Sequence, residues 1–170
     1  MKALLAGHIS LDIRGGKKLL GGPPLYQIPI LQAFGFKIDV LTSYAETDVD
    51  LTSKYPSVNF FVIKSECTTM YQFKSNKISQ DVDDDRQLVL KSKAMNITLK
   101  DLDQLSSNYE VVIVSPIALE FSLNVIEELS KLGKFTFFDV QGLVRRFDSE
   151  GLVYQELNIE EFQIILSMFD

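Results

Sequence analysis

The sequence has one cysteine, Cys67, and one histidine, His8, in 170 residues. A single cysteine excludes an intramolecular disulfide and a cysteine-built zinc cage, and a lone histidine excludes a His-rich metal site. Long apolar runs are missing too. Nothing approaches the roughly 18 residues of a membrane span, and the stretch from Met1 to Gly7 is too short for a signal-peptide core. There is no Gly-x-x-x-x-Gly-Lys-Ser/Thr loop and no Gly-x-Gly-x-x-Gly fingerprint, so neither a Walker-type nucleotide site nor a Rossmann dinucleotide site is indicated. Ser10 lies near His8, but without a Gly-x-Ser-x-Gly elbow a serine-hydrolase triad is not indicated. No internal repeat or low-complexity linker divides the chain. These absences lead to the expectation of one cytoplasmic domain.

What is present suits a packed core. Hydrophobic residues make up 46% and charged residues 24%, the proportions of a globular domain. The net charge of -6 repels nucleic-acid phosphates and anionic lipid, so neither nucleic acid nor membrane is expected as a partner.

Residues 2–6 read as a buried strand opening at Gly7, and residues 9–20 as a hairpin turning at Gly15-Gly16-Lys17-Lys18. Gly21-Gly22-Pro23-Pro24 then starts a helix, because proline is tolerated where the N–H has no partner. That helix carries Leu25, Ile28 and Leu31, is expected to kink or shift its start at Pro29, and stops near Gly35. Strands are expected over 37–42, 58–63, 69–74 and 87–90, with a polar loop at Asp81–Asp85 that lacks EF-hand spacing. Thr98 and Asp101 form a capping box. A strand over 110–115, a helix over 119–132 and a strand over 135–138 make a β–α–β unit with parallel strands. A last helix covers 159–168. The fold class is therefore an open α/β sheet with an antiparallel, strand-rich insertion near 10–20 and 58–90. Ligands in such sheets bind beyond the carboxyl ends of the strands. That rule points to Gly7-His8 and to Asp139-Gln141-Gly142.

Each candidate has two readings. Asp12 is a sugar-hydroxyl acceptor or a solvated hairpin charge. Gly21-Gly22 is a ligand-approach turn at a helix start or simply a tight turn. Arg145 and Arg146 hold a phosphate or pair with Asp139. His8 is a substrate contact or, the favoured reading, a satisfied structural histidine. Cys67 reads as a half-buried apolar side chain rather than a nucleophile.

The order of three segments carries more than any one of them. Ala6-Gly7-His8-Ile9-Ser10-Leu11-Asp12, then Leu20-Gly21-Gly22-Pro23-Pro24-Leu25-Tyr26, then Leu31-Gln32-Ala33-Phe34-Gly35 resembles the start of the ribokinase-like (PfkB) carbohydrate kinase family. Phe138-Asp139-Val140-Gln141-Gly142-Leu143-Val144-Arg145 resembles a stretch of its archaeal and inositol-kinase-like branch. The resemblance implies a ribokinase-like three-layer α/β sandwich, with residues 1–170 as the N-terminal part of one domain. A small β-sheet lid would come from about 10–20 and 58–75. The implied reaction passes the γ-phosphoryl of ATP, with Mg²⁺, to a hydroxyl of a small sugar, polyol or nucleoside. Asp12, Gly21, Gly22, His8 and Gln141 would face the substrate, and Asp139 and Arg145 the phosphate or nucleotide. Lid strands would pair into a homodimer.

The family's Asp-Thr-x-Gly-Ala-Gly-Asp motif, which supplies the general base and the anion hole, does not occur. Its Asn-x-x-Glu motif is expected beyond Asp170. The chain is accordingly expected to be a fragment without a catalytic base. Two alternatives stand beside that reading: a non-catalytic sugar-binding or dimerising protein on the same scaffold, and an unrelated Rossmann-like binding domain.

Overall fold

Near-continuous runs of Leu, Ile, Val and Phe favour strands buried on both faces, the signature of a parallel sheet. Five such runs form one here. In a computed structural model describing residues 1–75 and 86–170, β1 (Lys2–Ala6), β4 (Lys37–Tyr44), β5 (Val58–Lys64), β8 (Tyr109–Val114) and β9 (Gly133–Phe138) line up in the order β5-β4-β1-β8-β9. Every neighbouring pair is parallel. Leu4, Leu5, Val40, Leu41, Val112 and Val114 are fully buried.

Helices cover both faces. On one side, Leu25 and Ile28 of α1 (Pro23–Ala33) and Leu51 of α2 (Leu51–Lys54) pack with Leu5, Ile38 and Val40. On the other, Val125, Ile126 and Leu129 of α3 (Leu123–Ser130) and Ile165 of α5 (Ile159–Leu166) pack with Leu4, Leu41 and Val112. The result is a three-layer α/β sandwich. After β1 the next strand added in sequence, β4, lies to one side and β8 to the other. Such a reversal of strand order opens a crevice at the carboxyl ends.

A second, four-stranded sheet stands over that end. It contains β2 (Ser10–Arg14), β3 (Lys17–Gly21), β6 (Thr69–Ser75) and β7 (Arg86–Ser92), in the order β3-β2-β6-β7. β2 pairs antiparallel with β3 and parallel with β6. A short helix, α4 (Gln141–Val144), leads into the hairpin of β10 (Arg145–Phe147) and β11 (Val153–Gln155). Leu90 of β7 bonds to Gly151 in the turn of that hairpin.

Several boundaries differ from the sequence-based expectation. Residues 58–64 do not join the small sheet: Phe60, Phe61, Val62 and Ile63 lie in β5, paired with β4. The small sheet takes Thr69–Ser75 and, outside the expected 58–75 segment, Arg86–Ser92. The Asp81–Asp85 loop lies outside the described residues. The helix expected from residue 119 starts at Leu123, because Leu119 adopts a φ of 55°, which an α-helix does not allow. Phe121 instead forms a parallel bridge with Ile97. α1 continues through Pro29, which sits on its exposed side. The Thr98–Asp101 box is present, with the Thr98 N–H donating to Asp101 Oδ2 at 2.8 Å.

Candidate functional site

The crevice holds a cavity of about 370 Å³ between the two sheets. β1 leads through Gly7 into β2, which brings Asp12 to the wall. β3 returns the chain to Gly22, where α1 begins, so the positive end of that helix faces the same space. Gly22 has φ 102°, and a Cβ there would lie 2.6 Å from the His8 carbonyl oxygen. Only glycine fits this turn. Its neighbour Gly21 is buried against Asp12: a Cβ would lie 3.2 Å from Asp12 Oδ2.

The Asp12 carboxylate is 16% exposed and sits 3.5 Å from an Arg14 guanidinium nitrogen. Ser10 Oγ donates to it at 3.2 Å. Two cations stack on an aromatic ladder in β6. The Arg14 guanidinium lies 4.2 Å from the Phe73 ring centroid and that of Arg145 lies 5.4 Å from the Tyr71 centroid. Tyr71 and Phe73 are two residues apart on one strand and therefore project to the same face. Burial raises the Tyr71 pKa, so its phenol stays protonated and donates to the Ile117 carbonyl. Arg145 Nη1 reaches the same carbonyl at 3.5 Å. Arg14 is balanced by Asp12, whereas Arg145 pairs with no carboxylate among the described residues. Arg145 is thus a partly buried cation of the cavity wall with no carboxylate partner among the described residues.

Of the expected site residues, Asp12, Gly22, Gln141 and Arg145 line the cavity. Gly21 sits behind Asp12. His8 does not reach the space at all. It is fully buried, with Nδ1 2.8 Å from Thr69 Oγ1 and Nε2 2.9 Å from the Met95 carbonyl oxygen. The carbonyl can only accept, so Nε2 carries the proton and Nδ1 accepts from the Thr69 hydroxyl. Thr69 Oγ1 in turn accepts the Ala94 N–H at 3.0 Å. Every partner is satisfied by the neutral ring, which makes His8 a structural residue and removes it as a substrate contact.

Asp139 also leaves the predicted set. It is not among the cavity-lining residues, and its Oδ1 accepts the Gln141 N–H at 2.9 Å in the turn that opens α4. The anticipated Asp139–arginine pair does not form. Arg146 meets Glu161 at 3.5 Å instead. That contact lies in an Asn-x-x-Glu spacing, Asn158 to Glu161, which had been expected only beyond Asp170. Asn158 Oδ1 caps α5 by accepting the N–H groups of Glu160 and Glu161 at 3.1 and 3.2 Å.

One residue that sequence reasoning missed organises the floor. Glu120 is fully buried, and its carboxylate accepts the N–H groups of Ile117 and Ala118, the latter at 2.7 Å, as well as that of His8. An acid inside Ile117-Ala118-Leu119-Glu120-Phe121 was the available signal, since buried carboxylates are held by hydrogen bonds. No three His, Cys, Asp or Glu side chains converge on a metal position among the described residues.

The fold and cavity define a ribokinase-like α/β protein. No protein-family model matches the sequence, and no curated protein matches it. Its neighbours among solved structures are ribokinase-family kinases. A pyrophosphate-dependent kinase in the ribokinase family, complexed with a pyrophosphate analog and myo-inositol, matches at a TM-score of 0.79 and 26% identity, over 99% of this chain and 59% of that one. A sulfate complex of a pyrophosphate-dependent kinase in that family matches at 0.77 and 24%, over 100% and 60%. An uncharacterized sugar kinase from Pyrococcus horikoshii shares the fold at 0.60 and 16%, over 99% and 62%. The chain thus spans about three-fifths of the length of these kinases.

Proposed function

We propose that this chain forms the acceptor-binding part of a phosphotransferase that phosphorylates a hydroxyl of a polyol or sugar. The observation that carries the reading is Asp12, a carboxylate held at the cavity wall beside the glycine-opened start of α1. Such a group accepts two hydroxyl hydrogen bonds from one ligand. Gln141 adds a neutral polar contact. Arg145, a cation at the cavity wall, suits an anionic phosphoryl donor. Two donors fit this chemistry: ATP, implied by the sequence resemblance, and pyrophosphate, used by two of the neighbouring kinases. The small sheet acts as a lid that keeps water, a competing phosphoryl acceptor, away from the transfer. The chain contributes no identified general base, so its residues bind and orient the acceptor.

Thermal shift with myo-inositol and a panel of sugars and polyols tests the reading. The wild-type chain should gain stability with at least one of them at about ten times its dissociation constant. Asp12→Ala should lose that gain, because a hydrogen bond to a charged group contributes about 1.5–3 kcal/mol, roughly 10- to 150-fold in affinity. An unchanged shift in the variant, or none in the wild type, would overturn it. ATP and pyrophosphate form separate arms, with Arg145→Ala as the control for the donor.

A further inference from the structure

We infer that Gln27 is a specificity-determining residue of the cavity, its side-chain carboxamide engaging one particular hydroxyl of the bound polyol. The inference rests on the acceptor-site reading above and adds a contact that the resemblance does not supply.

Gln27 is the fifth residue of α1 and lines the cavity. One half of the carboxamide is anchored: Nε2 donates to Ser115 Oγ at 2.9 Å. Ser115 is fully buried at the carboxyl end of β8, and its N–H donates to the Ala6 carbonyl oxygen at 2.8 Å. The anchor is therefore built into the central strands. The other half is open. Oε1 is buried and has no hydrogen-bond partner among the described residues. Ser43 Oγ is in the same condition, but Ser43 lies on β4 and is not part of the cavity lining.

A buried amide oxygen without a partner is costly, and native proteins rarely leave one so. Asp12, Tyr71 and Arg145 each already have a protein partner, Asp12 with Ser10 and Arg14, and Tyr71 and Arg145 with the Ile117 carbonyl, whereas the buried Gln27 Oε1 has none among the described residues. Gln27 presents the open valence. Reversal of the amide still leaves one group open. A serine hydroxyl both donates and accepts, so if Oε1 took Ser115 then Nε2 would become the open group. A ligand hydroxyl satisfies either orientation. A methylene in its place satisfies neither and leaves the buried amide unpaired, which is how a polar site rejects a deoxy analogue.

The experiment is isothermal titration of the 170-residue chain with myo-inositol and with its single-deoxy analogues. The wild type should lose about tenfold or more in affinity for one deoxy position that Gln27 reads. Gln27→Met keeps the volume and removes the hydrogen bond. It should bind myo-inositol about tenfold more weakly and no longer discriminate that one position, while discrimination elsewhere persists. Gln27→Asn, which withdraws the amide by one methylene, should behave the same way and serves if the Met variant does not fold. Wild-type affinity and wild-type discrimination in both variants would overturn the inference. So would a uniform loss against every analogue, which marks a purely structural role. If binding depends on Asp12 but not on Gln27, only this inference falls. If the wild type binds none of these polyols, the acceptor-site reading falls and takes this with it.

Discussion

The carboxylate of Glu120 accepts the backbone N–H of His8 at 3.0 Å, joining residues 112 positions apart. The same group holds Ile117 and Ala118, and the Ile117 carbonyl receives Tyr71 and Arg145. One buried acid therefore ties the exit of β1 to the loop after β8 and, through that loop, to two side chains of the cavity wall.

Glu120→Gln should destabilise the fold by about 2–4 kcal/mol, since it replaces one acceptor oxygen by an NH₂ facing backbone donors and leaves buried N–H groups unpaired. Urea unfolding would show it as a lower midpoint at an unchanged slope. A wild-type midpoint would mean that the three-donor arrangement contributes little.

Gly22→Ala should cost roughly 2–4 kcal/mol. The new Cβ would meet backbone atoms of His8 and Ile9 at 2.6 and 3.0 Å, at a φ of 102°, and backbone cannot swing aside as a flexible side chain can. Gly35→Ala is the comparison: it shares a positive φ of 76° but has no atom within 4 Å of its Cβ. Its loss, measured by thermal melting, should be the smaller of the two.

His8 gives the fold a pH dependence. Burial lowers its pKa, outweighing the opposing pull of the Glu120 charge and the Met95 carbonyl. Above pH about 6.5 both folded and unfolded chains hold a neutral ring, and this contribution to stability is complete. As pH falls below that value, the unfolded chain takes a proton that the folded chain refuses. Stability then declines with a slope of up to about 1.4 kcal/mol per pH unit, until the depressed folded pKa is reached. Urea midpoints between pH 5 and 6.5, roughly where carboxylates contribute least, should fall in the wild type. In His8→Gln that slope should flatten, whatever the variant's absolute stability. Parallel slopes would contradict the assignment.

β9 carries the apolar surface from which self-association is expected. Phe135 and Phe137 are 45% and 47% exposed on one face. The far edge of the strand is met by Asp170, whose N–H donates to the Thr136 carbonyl oxygen at 3.0 Å and whose Oδ2 accepts the Thr136 N–H at 2.7 Å. Exposed apolar edge strands recruit other chains, and a lysine blocks them. Sedimentation velocity should show concentration-dependent association that Phe137→Lys suppresses. Leu19→Lys, on the outer strand of the small sheet, should leave it unchanged. The reverse pattern would favour the small-sheet dimer implied by the sequence resemblance.

Local patterning made some of the molecule readable. Strands β1 and β8 follow from uninterrupted apolar runs. The start of α1 follows from two glycines and two prolines. The order of Asp12 and Gly21-Gly22 along the chain pointed to the cavity wall. Residues 58–63 were read as a strand but assigned to the other sheet, because an apolar run carries its period and not its partner. Asp139, read as a ligand at the end of a strand, lies outside the cavity lining, and its Oδ1 accepts the Gln141 N–H in the following turn.

What the sequence determined by itself was the α/β alternation and a glycine-opened helix start next to a carboxylate, features set by steric limits and hydrophobic period within a few residues. What only the tertiary structure decided was which polar groups were already satisfied. His8 closes its valences on Thr69 and Met95, Glu120 holds the amide of distant His8 together with two amides of its own loop, and Gln27 is held by Ser115 with one atom to spare. Those outcomes depend on contacts between residues tens to more than a hundred positions apart, and a hydrogen bond is short enough that only the folded chain settles which donors meet which acceptors.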